Sequence, residues 1–349
     1  MVPGGDRDGT KPIRRILVAA VLLLLLVGER AAPGGRDRLG PPAAITATAV
    51  PLDRANPARN RVGRLRLIEA WQLRSNDRVF GGFSALAVSG RRFLMVGDGG
   101  TIVAFTLDRD GRTRDVRHGD LTDGPGDGRL EETRDAESLA HDPATGGWWV
   151  GFERANAIGR YDPSFRRLVA LARPAAMADW PDNAGAEAME RLAGGRVLVF
   201  AEGGRTPSGA RPALLFDRDP TDPAAVATPI AVTPPDGFRI TDAATLPDGR
   251  IIALHRRAAI TRIRFARIDG RLTLTDGFSA ALAIYDTATL PSRRLEATLV
   301  ATLAAPLTVD NMEGIAVTEE DGRLFVWILS DDNLKRVERT LLMRFELLP

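Results

Sequence analysis

Cysteine is absent from this chain of 349 residues, and histidine occurs three times. The absence of thiols excludes disulfide bonds, thiolate metal sites, iron–sulfur clusters and a cysteine nucleophile. The fold must be stabilised by packing, and a chain of this length with 44% hydrophobic residues can bury one large core or two modest ones. Its 35 glycines and 23 prolines favour many turns and short strands.

Familiar catalytic motifs are also missing. The chain contains no HExxH sequence, no Walker loop and no GxGxxG sequence, so a zinc protease, a nucleotide hydrolase or a dinucleotide enzyme has no support. Ser84 lies in the sequence Gly-Phe-Ser-Ala-Leu, which lacks the second glycine of a nucleophile elbow. The chemistry must therefore be sought in acidic and basic residues.

The one notable apolar run, residues 16–27, follows Lys11, Arg14 and Arg15. Twelve residues at about 1.5 Å each cover about 18 Å, which is short of the roughly 30 Å hydrocarbon layer. The pattern predicts a signal peptide over residues 1–28 and hence a periplasmic or secreted protein. The alternative is an uncleaved membrane anchor formed by residues 16–27, because the sequence after residue 29 is a poor cleavage site.

Residues 29–62 are rich in Ala, Pro, Gly and Arg without an apolar period, which predicts a flexible tether before a domain at 63–349. Residues 1–62 hold ten Lys and Arg against five Asp and Glu, and the remainder holds 37 against 40. The basic excess therefore belongs to the leader and tether. No basic stripe with interleaved aromatic residues occurs, so we predict no nucleic-acid partner.

The domain itself contains five similar segments, each with an acidic or polar residue, a glycine turn and a β-rich strand. Their leading residues are separated by 53, 50, 55 and 71 positions, and they are Ser84, Glu137, Glu187, Asp242 and Glu313. Each segment is typical of a β-hairpin, and the spacing suits one four-stranded propeller blade. We therefore predict an all-β propeller of five to six blades, with two stacked sheets as the alternative fold.

Two further features bear on this propeller. A ring without a bare edge requires residues 65–71 to pair with residues 341–347, so the two terminal strands are predicted to close it. The longer fourth interval, which includes residues 279–290, is either a surface insertion or a degenerate sixth blade.

Acidic residues recur at two positions of the repeat. One set begins the hairpins: Glu137, Glu187, Asp242 and Glu313. The other set ends them: Asp98, Glu153, Glu202 and Asp331. Because equivalent blade positions form a ring, we expect these acids to converge at one mouth of the central channel.

Converging carboxylates can share a hard cation, so the first set predicts a Ca²⁺ site formed by Glu137, Glu187, Asp242 and Glu313. The alternative is that each acid accepts hydrogen bonds in its own turn or pairs with an arginine, such as Arg134, Arg154, Arg256 or Arg257. His255 occupies the place where the other hairpins end in an acid, and a histidine there would weaken a Ca²⁺ site.

Several blocks together resemble the phytase-like domain family, also described as "esterase-like activity of phytase". The resemblance spans residues 65–347, and its most specific blocks are Asp310-Asn311-Met312-Glu313-Gly314 and Ser330-Asp331-Asp332-Asn333. It implies an exported bacterial protein of propeller form and suggests a phosphoester or ester hydrolase. The sequence departs from the family pattern at Ser84-Ala85-Leu86, Leu334, Glu338 and His255.

Two functions follow as hypotheses. In the first, the protein is a metal-assisted phosphoester or ester hydrolase of small molecules, whose ion activates water. Its catalytic residues are then Glu137, Glu187, Glu313 and Asp331, and its substrate-binding residues are Arg154, Arg256 and Arg257. In the second, it is a non-catalytic periplasmic binding or scaffold propeller, because the fold alone does not select a function. The sequence gives no indication of the oligomeric state.

Overall fold

The computed structural model describes residues 43–77, 79–126, 134–181, 185–259, 263–268 and 270–349. The predicted leader and residues 29–42 of the predicted tether lie outside these ranges. Within them, no helix has both the length and the apolar character needed to span a membrane.

The described residues are almost entirely β-structure. Three short 3₁₀ helices occupy Ala175–Met177, Ala193–Gly195 and Thr287–Ser292. The strands in chain order are β1 (Ile45–Ala49), β2 (Arg61–Val62), β3 (Leu65–Ser75), β4 (Phe83–Ser89), β5 (Arg92–Gly97), β6 (Thr101–Leu107), β7 (Thr113–Asp120), β8 (Ala136–Asp142), β9 (Gly147–Phe152), β10 (Ala157–Tyr161), β11 (Leu168–Ala172), β12 (Ala186–Arg191), β13 (Val197–Ala201), β14 (Arg211–Phe216), β15 (Ala227–Thr233), β16 (Arg239–Thr245), β17 (Ile251–Ala258), β18 (Arg264–Ile268), β19 (Arg271–Asp276), β20 (Phe278–Tyr285), β21 (Arg294–Glu296), β22 (Thr298–Ala304), β23 (Asn311–Glu320), β24 (Arg323–Asp331) and β25 (Thr340–Leu347).

Five sheets form the blades of a propeller, which confirms the predicted fold and sets the blade number at five. Blades one and two are β4–β7 and β8–β11. Blade three is β12–β15 with β21 added in parallel at its edge. Blade four is β16, β17, β20 and β22, and blade five is β23, β24, β25, β3 and β1, with β2 beside β3. The innermost strands β4, β8, β12, β16 and β23 contact one another in order around the axis.

The two ends of the domain close the ring, as predicted. Strand β3 pairs antiparallel with β25, from Leu65 opposite Leu347 to Leu73 opposite Thr340. Blade five therefore takes its inner strands from the C-terminal part of the chain and its outer strands from the N-terminal part. Because β3 pairs with β25, β25 is not left as an exposed edge strand.

The long fourth interval contains a surface insertion, which is the first of the two predicted alternatives. Strands β18 and β19 form a separate two-stranded hairpin between β17 and β20. Residues 279–290 of the same interval hold most of β20 and part of a 3₁₀ helix of blade four. The described residues contain no sixth blade. The insertion lengthened the interval without disturbing the alternating pattern of the blade strands.

Part of the predicted tether belongs to the propeller. Strand β1 pairs with β3 along its whole length, and the side chains of Ile45, Val50 and Leu52 are buried. Residues 43–62 therefore carry structure, and the domain begins before residue 63. The sequence pattern does not predict β1, because an outer strand buries few of its side chains and its apolar period is therefore weak.

Apolar side chains between neighbouring blades form the core. Between blades five and one, the rings of Trp327 and Phe93 meet edge to face with centroids 4.8 Å apart. The innermost strands approach closely at Gly314, where a Cβ atom would lie 2.9 Å from the Cβ of Leu86. Glycine after Glu313 thus allows blades five and one to pack beside the channel.

Candidate functional site

Every innermost strand carries a β-bulge at the same place. In each blade one residue is skipped in the pairing with the second strand, and these residues are Ser84, Glu137, Glu187, Thr241 and Glu313. A bulge leaves one residue outside the ladder and re-aims its side chain. The five bulges therefore form one ring of side chains around the channel.

A second ring follows from the same register. In each blade, the residue of the second strand that pairs with the residue before the bulge is followed by a charged residue, and these charged residues are Asp98, Glu153, Glu202, Arg256 and Asp331. In blade four the sequence alignment was thus one residue out of register in both rings. Thr241 takes the place that we gave to Asp242, and Arg256 takes the place that we gave to His255.

Asp242 does not join the cluster at the channel mouth. Its carboxylate accepts backbone N–H bonds from Ala243 and Ile315, both at 2.8 Å, and so links blade four to blade five. His255 is fully buried inside blade four, where Nε2 lies 2.8 Å from the hydroxyl of Tyr285. Burial lowers the pKa of His255 to about 4, so its imidazole is neutral. Both residues stabilise the blade.

Nine of the ten ring residues, all except Thr241, line a cavity of about 170 Å³ at the channel mouth. All four predicted catalytic residues meet here, as does Arg256. The cavity is lined by Ser84, Asp98, Glu137, Glu153, Glu187, Glu202, Arg256, Asn311, Glu313, Asp331 and Asn333. Seven of these side chains are carboxylates and one is a guanidinium, so positive charge at the mouth falls far short of negative charge when all are ionised.

Arg256 neutralises one side of the mouth. Its guanidinium lies 2.8 Å from Oε1 of Glu313 and 3.0 Å from Oε1 of Glu202, and it donates to Oδ1 of Asn311 at 2.8 Å. Burial lowers the pKa of Arg256, but the charges of Glu313, Glu187 and Glu202 outweigh burial and raise it. The arginine alternative of the sequence analysis therefore holds for this half of the site.

The other half contains a compact group of carboxylates. Asp135, Glu137 and Glu153 each offer an oxygen, and these oxygens all lie within 4.8 Å of one another. Asp135 precedes β8 in the left-handed conformation, with φ of 47°, which Asp adopts more readily than most residues. Three hard oxygen donors at this spacing fit the requirements of Ca²⁺ or Mg²⁺.

Titration of the channel acids reflects the shortage of counter-charge. Burial, followed by the charge of Asp135, raises the pKa of Glu153 to about 8. Burial raises the pKa values of Glu137 and Glu187 well above the ordinary range, and nearby carboxylates raise them further. The pKa of Asp331 rises for the same reasons. Burial also raises the pKa of Glu313 to about 7, although Arg256 opposes this shift. Several of these carboxyls therefore hold protons near neutral pH when no cation is present.

The other arginines named from the sequence lie apart from the cavity wall. Arg154 donates to Asp135 at 2.9 Å and is 40% exposed. Arg257 lies over the ring of Phe238, with its guanidinium carbon 4.5 Å from the ring centroid. Arg134 donates to the backbone carbonyl of Leu121. Of the three predicted substrate-binding arginines, the structure brings Arg256 alone into the cavity lining.

Sequence reasoning missed two members of the site. The sequence analysis does not assign Asp135 to the metal site, although it stands two residues before Glu137. In the structure its carboxylate lies in the same cluster as those of Glu137 and Glu153. Asn311 was quoted for its motif but given no role, and its side chain connects Arg256 with Asp331, whose Oδ2 lies 3.4 Å from Nδ2. Both residues flank an acid of the first ring, which is the signal that could have identified them.

Comparison with known proteins gives structural similarities at low sequence identity. The allergen Mala s 1 of Malassezia sympodialis is 11% identical, with a TM-score of 0.45, and the match covers 88% of this chain and 96% of that one. A gluconolactonase of Xanthomonas campestris is 16% identical, with a TM-score of 0.40 and coverages of 87% and 99%. The match to hydrazine synthase of Kuenenia stuttgartiensis has 13% identity and a TM-score of 0.36, and it covers 72% of this chain but 57% of that one.

No curated protein sequence matches the chain significantly. A family model does match, over residues 78–334, and its description is "esterase-like activity of phytase". These residues include all five bulges and both rings of the channel mouth. The chain belongs to the phytase-like family.

Proposed function

We propose that this protein is a divalent-cation-dependent hydrolase that acts at the channel mouth on small phosphoesters or carboxylic esters. The observation that carries the proposal is the group formed by Asp135, Glu137 and Glu153. Glu137 and Glu153 belong to a larger ring of carboxylates that Arg256 neutralises only in part, and Arg154 pairs with Asp135. Family membership supports the reaction class, because the family is described by an esterase-like activity.

Electrostatics explain why a cation belongs at this place. Two carboxylates about 4 Å apart repel each other by about 4 kcal/mol at an effective dielectric of 20. Burial, and after it this repulsion, raises the pKa values of Glu137, Glu153 and Glu187, so these acids take up protons more readily than exposed carboxyls do. A divalent cation replaces those protons and removes the repulsion. Oxygen donors favour Ca²⁺ or Mg²⁺ over softer metals, and we propose Ca²⁺.

The residues around the cation site have distinct roles in this proposal. Asp135, Glu137 and Glu153 hold the ion, which when bound lowers the pKa of a water molecule and polarises an ester oxygen. Glu187 and Asp331 lie at the same mouth, and burial and nearby carboxylates raise their pKa values, so each holds a proton more tightly than an exposed carboxyl and can donate it to a leaving group. Arg256, fixed by Glu202 and Glu313, supplies a stationary positive charge beside them.

We propose that the protein is exported to the periplasm or secreted, with residues 1–28 as its signal peptide. The basic residues before the apolar run 16–27 support this location. The alternative remains a membrane anchor formed by residues 16–27. In either case the domain lies in an oxidising compartment, where a protein without cysteine has no thiol to be oxidised.

The proposed activity predicts chelator-sensitive turnover by the purified full chain. We expect hydrolysis of p-nitrophenyl phosphate, phytate or p-nitrophenyl acetate with Ca²⁺, and its loss after removal of metal. Glu153→Gln should reduce kcat/KM by about a hundredfold, since it removes a donor to the ion. Glu319→Gln removes an exposed carboxylate far from the metal donors and should leave the rate unchanged.

One outcome decides against catalysis. If Ca²⁺ binds but no phosphoester or carboxylic ester is turned over, the protein is a binding propeller. The small size of the cavity, about 170 Å³, is the observation that favours this second candidate, because sites for drug-sized molecules usually exceed about 300 Å³. A cation with its water molecules fits such a space without a substrate.

A further inference from the structure

A second cavity, which we call the arginine groove, lies between blades three and four. Its volume is about 720 Å³, which is within the range of small-molecule sites. Its walls come from the loop between β13 and β14, from the segment that joins β15 to β16, and from β21. Four arginines line it: Arg205, Arg211, Arg239 and Arg294.

Positive charge accumulates in the arginine groove. Burial lowers the pKa of Arg211, and the charges of Arg239 and Arg205 lower it further, which shows that the guanidinium groups oppose one another. Asp236 and Glu296 also line the groove, but within the described ranges neither forms an ion pair with these arginines. Glu202 of the channel mouth pairs with Arg239, so four cations face three anions, and the surplus is one that an anionic ligand would neutralise.

The guanidinium groups keep donors for a ligand. Nη1 of Arg205 donates to the carbonyl of Gly209 and Nη1 of Arg211 to the carbonyl of Gly204, both at 3.0 Å. Because a guanidinium carries five N–H donors, each of these arginines is held in place by its own loop and retains further N–H groups. Arg294 is exposed and makes no ion pair with any described residue. Such planar forks bind phosphate and carboxylate oxygens well.

The remaining walls of the groove give it shape and a position. Pro234, Pro235 and Phe238 form an apolar side, and the two prolines restrict its backbone. Arg239 connects the groove with the channel mouth, because its Nη1 donates to Oε2 of Glu202 at 3.2 Å and Glu202 lines the channel cavity. The two cavities thus lie on either side of a single ion pair.

We propose that the arginine groove is a binding site for the oxyanion group, phosphate or carboxylate, of a small organic molecule. The arginines bind the oxyanion, Pro234, Pro235 and Phe238 contact the carbon skeleton, and the carboxylates of Asp236 and Glu296 accept hydrogen bonds from its hydroxyl groups. This proposal concerns binding alone and does not depend on hydrolysis at the channel mouth.

The test measures binding of two probes, tripolyphosphate and citrate, to the full chain by titration calorimetry at low ionic strength. Buffers are freed of metal with a chelating resin, so that no probe binds through a cation in the channel. We expect wild type to bind at least one probe and Arg239→Gln/Arg294→Gln to bind it about a hundredfold more weakly, roughly tenfold for each charge-assisted contact. Which probe binds identifies the oxyanion as phosphate or carboxylate.

Arg112→Gln is the matched control, because Arg112 is an 81% exposed arginine outside the groove. It should change the affinity less than about twofold, since an exposed charge contributes little. Arg294→Gln alone provides the comparison if loss of Arg239 from Glu202 disturbs folding. Equal affinity of wild type and the folded groove variants, or no binding of either probe up to about 10 mM, would overturn the proposal.

Discussion

Arg256→Gln is expected to lower the free energy of unfolding by about 3–5 kcal/mol near pH 8, in the absence of metal. The side chain of Arg256 is 26% exposed, and its guanidinium contacts Glu202 and Glu313, which are more deeply buried. Its removal leaves the buried carboxylate of Glu313 without a counter-charge and leaves Glu202 with Arg239 alone. Urea unfolding of wild type and variant gives the difference directly.

Two further variants identify the cause. Arg256→Gln/Glu313→Gln should recover part of the lost stability, because the unpaired charge of Glu313 is removed as well. Arg112→Gln, at an exposed pair with Asp110, should change the free energy of unfolding by less than about 0.5 kcal/mol. An Arg256→Gln protein as stable as wild type near pH 8 would show that the arginine does not neutralise this half of the mouth.

The second large effect is a loss of stability of the metal-free protein as pH rises from about 6.5 to about 8. The pKa of Glu153 is raised to about 8 and that of Glu313 to about 7, so the folded state binds protons more tightly than the unfolded state. Stability is greatest where these carboxyls are protonated and decreases as they ionise. Each proton contributes about 1.4 kcal/mol per pH unit.

The decrease in stability is expected above about pH 6.5 because His255 acts in the opposite direction below that pH. Burial lowers its pKa to about 4, so its effect is opposite: stability is lost as pH falls below about 6.5, where the unfolded chain takes up the proton. Above that pH the channel acids dominate, together with Glu190 and Asp310, whose pKa values burial raises to about 7.

Urea unfolding at the two pH values, with and without Ca²⁺, separates these contributions. In the metal-free protein, Glu153→Gln should make the free energy of unfolding fall less between the two pH values, because it removes one titrating group. Ca²⁺ should reduce the decrease in wild type but not the part due to Glu190 and Asp310, which lie outside the channel cavity. Metal-free wild type that is at least as stable at about pH 8 as at about pH 6.5 would contradict the raised pKa values.

Much of the fold could be predicted from the sequence, because a propeller repeats one local pattern. Five hairpins with similar spacing indicated the blades, and the apolar ends 65–71 and 341–347 indicated ring closure. The outer strand β1 and the inserted hairpin β18–β19 could not be predicted in this way. The first buries too few side chains to show a period, and the second is a hairpin that the repeat does not contain.

The site was predicted less completely, and blade four shows why. Repeat alignment by residue type placed Asp242 and His255 in the rings, since an acid and a titratable group stand nearest the expected positions. The actual positions depend on which residue each bulge skips, and in this blade they are Thr241 and Arg256. A shift of one residue reverses the side of a strand on which a side chain lies. Residue type alone does not define that register.

The central claim is that the group of Asp135, Glu137 and Glu153 at the channel mouth holds a divalent cation. Scanning calorimetry of the full chain tests it, because a ligand that binds the folded state alone stabilises it by about 2.7 kcal/mol at a concentration a hundred times its Kd. We predict that Ca²⁺ raises the unfolding temperature of wild type and of Glu319→Gln, and that Glu137→Gln and Glu153→Gln respond much less. Identical transitions of wild type with Ca²⁺, with Mg²⁺ and with chelator would contradict the account.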